Sequence, residues 1–64
     1  MLKIRITADI KSWLNVTEGK VYPVKEMTVD RISNGFERFY YIDNDAGKEV
    51  PIPAWATKIQ NFEN

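Results

Sequence analysis

Hydrophobic and polar residues alternate at several places along the chain, with the period of two that a strand with one buried face requires. The alternation is cleanest near the start, where polar residues separate Leu2, Ile4 and Ile6. Aromatic and β-branched residues then dominate Phe36–Ile42, which favours a half-buried strand. No stretch of about eleven residues has the 3.6-residue period of an amphipathic helix. The pattern therefore predicts an all-β domain.

Turn-forming residues separate these strands at short intervals. They cluster at Thr17–Lys20, at Ser33–Gly35 and at Asp43–Gly47, and such residues adopt turn conformations at little cost. The Asn-Gly pair in the second cluster is the strongest short hairpin signal. We therefore expect a hairpin from Phe36 to Ile52, with a loop of about five residues at Asp43–Gly47.

The longest β-like stretch, Val21–Ile32, changes phase part-way along. Tyr22 and Val24 share one parity, whereas Met27 falls on the other. Two interpretations are open. Either a bulge near Lys25 resets the phase, or the strand is solvated on one face for only part of its length.

Prolines mark the end of the predicted hairpin. Pro51 and Pro53 lack a backbone N–H, so the strand Glu49–Ile52 should lie at a sheet edge or end at once. Proline also presets the backbone for a first helical position, which predicts a single helical turn at Pro53–Ala56. A last strand is expected at Thr57–Phe62.

The strand phases together predict the hydrophobic core. Apolar residues on the inward parity of the well-phased strands should be buried, and Ile59 is the clearest of these in the last strand. The predicted core residues are Ile4, Ile6, Val24, Ile42 and Ile59.

Sixty-four residues correspond to a single domain spanning residues 1–64. Five short strands separated by turns every 8–12 residues or so are typical of a barrel or sandwich. A chain this short buries only about 60% of its unfolded surface. The length therefore favours a small five-stranded barrel.

Composition excludes most catalytic and metal chemistry. The chain has no cysteine and no histidine, so disulfides and thiolate metal sites are excluded, as expected in a reducing cytoplasm. Asp43 and Asp45 lie in a predicted turn, where solvated aspartate is common. The same stretch begins like a calcium loop but has Lys48 and Ala54 where that loop needs Gly and Glu. We therefore predict no enzyme activity, no metal and no cofactor.

Few other features of the sequence indicate a cellular compartment or a ligand. No apolar run approaches the 18 or so residues of a membrane span, and no signal-peptide pattern follows Met1, so we expect a cytoplasmic protein without membrane contact. Nine basic residues balance nine acidic ones. Lys3 and Arg5 nevertheless share one strand face, and Arg38 lies beside aromatic residues. A small barrel that binds nucleic acid is therefore the alternative function.

Aromatic residues give the main functional signal, because the chain holds two Trp, three Tyr and three Phe. The strand Phe36–Ile42 carries them on both parities, and only one parity can face the core. Either Trp13 folds over the outer pair, Phe39 and Tyr41, or that pair forms a binding patch with Trp55. Aromatics are the usual anchors of interfaces, so we expect a protein-binding surface, with Arg38 as its rim charge.

The order of these elements resembles the Src-homology-type small β-barrel. Leu14–Val24 looks like that fold's diverging turn and second strand, and Val50–Ala56 is similar to its strand end and one-turn 3₁₀ helix. More narrowly, the pattern Leu-x-Val-x-x-Gly-Lys-x-Tyr-x-Val, with Tyr-Ile-x-Asn-Asp-x-Gly-x-Glu-Val-Pro-x-Pro after it, is similar to small uncharacterised proteins of tailed bacteriophages and prophages.

The resemblance implies a five-stranded Src-homology-like barrel with a 3₁₀ turn before the last strand. It also implies a phage-encoded, non-enzymatic protein that binds a host protein in the host cytoplasm and so inhibits or redirects it. A homodimer is a variant of this reading, since spare aromatics can be buried between two copies. Fold resemblance alone does not transfer an activity.

Overall fold

The computed structural model describes residues 2–10 and 14–60, and in them the chain forms six short strands and one 3₁₀ turn. The elements in chain order are β1 (Lys3–Ile6), β2 (Val21–Pro23), β3 (Glu26–Ile32), β4 (Gly35–Asp43), β5 (Glu49–Pro53), the 3₁₀ turn Ala54–Ala56 and β6 (Thr57–Ile59).

The strands form two antiparallel sheets of three strands each. One sheet has the order β2-β1-β6 and the other the order β3-β4-β5. The predicted all-β class and the 3₁₀ turn before the last strand agree with this arrangement. The prediction of a five-stranded Src-homology-like barrel is wrong. In the described residues β6 pairs only with β1 and β3 only with β4, so the sheets have open edges and no barrel closes.

The phase change within Val21–Ile32 has a different cause from either interpretation of the sequence. The stretch is two strands in different sheets, since β2 ends at Pro23 and β3 begins at Glu26. Val24 still bonds to the first sheet, through its N–H to Leu2 O, whereas the Lys25 N–H donates to Tyr41 O in the second. The chain therefore changes sheets between these two residues, and the parity of its inward side chains changes with it.

The core lies between the inner faces of the two sheets. The members of this core cluster are apolar apart from the phenol oxygens of two tyrosines; they are Ile4, Ile6, Leu14, Tyr22, Tyr40, Ile42, Val50 and Ile52. The predictions for Ile4, Ile6 and Ile42 are confirmed, and Val24 is partly buried against this cluster. The remaining prediction, Ile59, is discussed next.

Ile59 is 49% exposed, so its assignment to the core is wrong. It pairs with the fully buried Ile4, and cross-strand partners share a face of the sheet. Ile59 therefore points to the inner side of its sheet, but β6 is an edge strand. In a closed barrel a further strand would cover this position, and here the edge is open.

The hairpin of β4 and β5 has the loop length expected from the sequence. β4 ends at Asp43 and β5 begins at Glu49, which leaves five residues, 44–48, between them. Gly47 has φ +82°, in the left-handed region that glycine enters without a steric cost. The loop closes through hydrogen bonds from Asn44 N to Lys48 O and from Gly47 N to Asn44 O.

Candidate functional site

Asn44 links the β4–β5 loop to the segment between β1 and β2. Its side chain is buried, and its amide nitrogen donates to Leu14 O over 2.9 Å. Its amide oxygen accepts hydrogen bonds from the N–H groups of Ala46 and Lys48, each at 2.9 Å. All of these groups are backbone groups that the loop would otherwise leave without partners, so Asn44 both shapes the loop and fixes Leu14 beside it.

Asp45 adds a charged part to the same link. Its N–H donates to Asn15 O over 2.9 Å. Its carboxylate accepts hydrogen bonds from Thr17 Oγ1 at 2.7 Å, from Lys20 Nζ at 2.9 Å and from the Tyr22 hydroxyl at 2.9 Å. We call the two residues and these bonds the Asn44–Asp45 clamp.

The clamp changes the acidity of Asp45. Hydrogen bonds from Lys20, then Thr17 and Tyr22, stabilise the carboxylate and lower the pKa of Asp45 from its usual 3.8 to about 2, against a smaller opposing effect of desolvation. Sequence analysis assigned Asp45 to a solvated turn. Along the sequence, Tyr22 is 23 residues and Thr17 is 28 residues from Asp45. No local sequence pattern indicates contacts over such separations.

A pocket with a volume of about 340 Å³ lies beside the clamp, and we call it the apolar groove. Its walls are almost entirely carbon, and Asp9 is the one charged residue among those that line it. The lining residues are Asp9, Ile10, Leu14, Phe39, Pro51, Pro53 and Trp55.

The groove's two sides come from distant parts of the chain. One side is the outer face of the second sheet, where Phe39 on β4 pairs with Pro53 on β5. The other side is Ile10 and Leu14, from the segment that follows β1. The proline is tolerated because β5 is an edge strand, where a missing N–H leaves no ladder bond unmade.

Trp55 stands on the 3₁₀ turn, lines the groove and is 68% exposed. The turn is closed by Thr57, whose N–H and hydroxyl both donate to Ala54 O, the hydroxyl over 2.9 Å. Ala56 of the same turn is fully buried. The indole ring is thus held on a fixed backbone while most of its surface stays open to solvent.

The residues predicted from the sequence as a binding patch have different positions in the structure. Phe39 and Trp55 meet in the apolar groove. Tyr41 is half-buried on the same outer face as Phe39, opposite Pro51, and does not line the groove. Arg38 pairs with Val29 on the opposite face of β4, because neighbouring residues in a strand point to opposite sides. Trp13 lies outside the described residues.

Sequence analysis missed five lining residues of the groove, namely Asp9, Ile10, Leu14, Pro51 and Pro53. The prolines were interpreted as signs of a strand edge and of the helical turn that follows it, and not as part of a binding site. Ile10 and Leu14 lie in a segment without period-two patterning. Leu14 is held by its hydrogen bond from Asn44, a contact that the sequence does not reveal.

Several of the basic residues are engaged with protein groups. The Arg5 guanidinium donates to Gly19 O over 2.8 Å and to Gln60 Oε1 over 3.2 Å. Lys20 is paired with Asp45, and Lys25 bridges Asp43 and Glu49 at 3.1 and 3.3 Å. The same carboxylates raise the pKa of both lysines.

Comparison with known proteins returned no match. No family model matches the chain, no curated protein matches it, and no solved structure matches it. Across residues 2–10 and 14–60, no helix is long and apolar enough to cross a membrane. The apolar groove and the surfaces around it therefore carry the functional inference.

Proposed function

We propose that the chain is a non-enzymatic binding module whose apolar groove receives an apolar side chain of a protein partner. The observation that carries this proposal is the groove itself, with Phe39 and the 68% exposed Trp55 among its lining residues. Concave apolar surfaces of this kind mark binding sites. Tryptophan is among the residues most often found as interface anchors.

The groove is ordered before a ligand arrives. The Asn44–Asp45 clamp fixes Leu14, and hydrogen bonds to Ala54 O fix the turn that carries Trp55. Binding therefore has to order few protein groups, and this lowers the entropic cost of association.

Size and charge favour a protein segment over a cofactor or a nucleic acid. A volume of about 340 Å³ lies at the lower end for ligand pockets, so the groove has room for one or two side chains. Asp9 is its charged residue, and a carboxylate repels phosphate. In view of the resemblance to phage proteins, the partner we propose is a host protein in the host cytoplasm, which binding would inhibit or redirect.

The test is to select peptides that bind the protein from a random display library and to measure their dissociation constants by calorimetry. Trp55→Ala should weaken binding by about 2 kcal/mol or more, roughly 30-fold, because an anchor is removed. Phe36→Ala is the matched control, since Phe36 is equally exposed at 71% but lies away from the groove. Binding that tolerates Trp55→Ala, or that Phe36→Ala weakens equally, would contradict the proposal, as would the failure of any peptide to bind.

A further inference from the structure

The outer half of the β3–β4 hairpin extends beyond its sheet. β4 pairs with β5 only from Phe39 to Asp43, whereas its first four residues, Gly35 to Arg38, pair with β3 alone. Residues 29–38 therefore form a two-stranded ribbon, which we call the distal ribbon. At about 3.3 Å per residue, it projects roughly 13 Å past the end of β5.

One face of the distal ribbon combines basic and aromatic side chains. Val29 pairs with Arg38, and Arg31 pairs with Phe36; all four residues share a face by strand alternation. Phe36 is 71% exposed, and the Arg31 guanidinium lies 6.0 Å from the centre of its ring. We call this the basic–aromatic face.

The reverse face of the ribbon is acidic. Asp30 pairs with Glu37, and both side chains point away from the basic–aromatic face. The net charge of zero therefore conceals a separation of charge across this ribbon. Like charges placed directly opposite each other are destabilising, so the Asp30–Glu37 pair does not stabilise the ribbon.

We propose that the basic–aromatic face binds single-stranded nucleic acid. One base stacks on the exposed Phe36 ring, and the guanidinium groups of Arg31 and Arg38 contact the phosphates on either side of it. Aromatic platforms flanked by cations are the usual means of holding single strands. Arg31 already lies against the ring, where it can take part in the stack.

Charge complementarity selects this occupant among the alternatives. In the groove of a duplex, phosphates would lie against both faces of the ribbon. Those on the reverse face would be repelled by the carboxylates of Asp30 and Glu37. A second copy placed face to face would bring arginines against arginines. A single strand can lie on one face alone, and it offers phosphates to the two arginines and a base to the Phe36 ring.

The second site is independent of the apolar groove. Arg38 and Phe39 are consecutive residues, but they point to opposite faces of β4. Binding at one site therefore tests nothing about the other. Trp55→Ala should leave nucleic-acid binding unchanged.

The experiment measures the anisotropy of a fluorescent oligothymidylate of about 12 nucleotides, within the usual range of site sizes, titrated with the full chain at several salt concentrations. Two phosphate contacts predict a slope of log K against log salt of about −1.4. Phe36→Ala should weaken binding roughly 5- to 150-fold without changing that slope. Arg31→Ala with Arg38→Ala should bring the slope close to zero.

Lys48→Ala with Lys58→Ala is the control, because it removes the same charge from exposed positions outside the ribbon. It should change affinity by less than about twofold. An equal loss in this control, equal binding of an abasic oligonucleotide or of polyglutamate, or no binding by the wild type would overturn the proposal. So would sedimentation of the free protein as a dimer that Phe36→Ala dissociates, since a second copy would then cover the face.

Discussion

Tyr22 is the residue where the core meets the Asn44–Asp45 clamp. Its ring is buried, while its hydroxyl accepts a hydrogen bond from Thr17 N and donates one to Asp45 Oδ1. Tyr22→Phe keeps the ring but removes the acceptor of Thr17 N and one of the three side-chain hydrogen bonds to the Asp45 carboxylate. We expect a loss of about 1 to 3 kcal/mol in the free energy of unfolding, measured by urea denaturation.

Tyr41→Phe provides the matched control for this measurement. Among the described residues no hydrogen bond involves the Tyr41 hydroxyl, and we expect its removal to change stability by less than about 0.5 kcal/mol. Equal losses in the two variants would mean that the Tyr22 hydroxyl bonds contribute nothing specific.

Asp45 makes stability depend on pH in a defined window. Its pKa is lowered to about 2 in the folded chain, from a usual 3.8, so the unfolded chain binds the proton more readily. The stabilisation is complete above about pH 3.8 and is lost as the pH falls towards 2. Urea midpoints of the wild type should fall across this window more steeply than those of Asp45→Asn, and parallel profiles would contradict the clamp.

At the scale of the elements, the position of a strand in its sheet decides how much an inward-facing isoleucine contributes to the free energy of unfolding. Ile42 is fully buried, whereas Ile59 is 49% exposed on the edge strand β6. Ile42→Ala should cost about 2 to 5 kcal/mol, and Ile59→Ala less than about 1 kcal/mol. Similar losses at the two positions in chemical denaturation would indicate that a further element covers β6.

Strand positions were well predicted because they depend on local patterns. The alternation around Ile4 and the aromatic run before Ile42 each identify a strand, and the five-residue loop between β4 and β5 follows from its turn residues. The split of Val21–Ile32 was not predicted, because a change of sheet and a bulge both shift the parity of the apolar residues in the same way.

The architecture of the whole molecule was not predictable from these patterns. Whether an edge such as β6 meets another strand depends on pairings between distant segments, and those leave no period in the sequence. The groove shows the same limit. Phe39 and Trp55 were identified from their residue types, whereas Leu14 is held by a hydrogen bond from the buried side chain of Asn44, a residue 30 positions away.

The central claim, that the apolar groove is a preformed binding site, can be tested most directly by nuclear magnetic resonance. The labelled protein is titrated with a small apolar probe, N-acetyl-phenylalaninamide, and the chemical-shift changes are mapped. The account predicts saturable shifts at Ile10, Leu14, Phe39 and Trp55, which Trp55→Ala abolishes. Shifts confined to Phe36 and the distal ribbon, or no saturable shift at all, would contradict it.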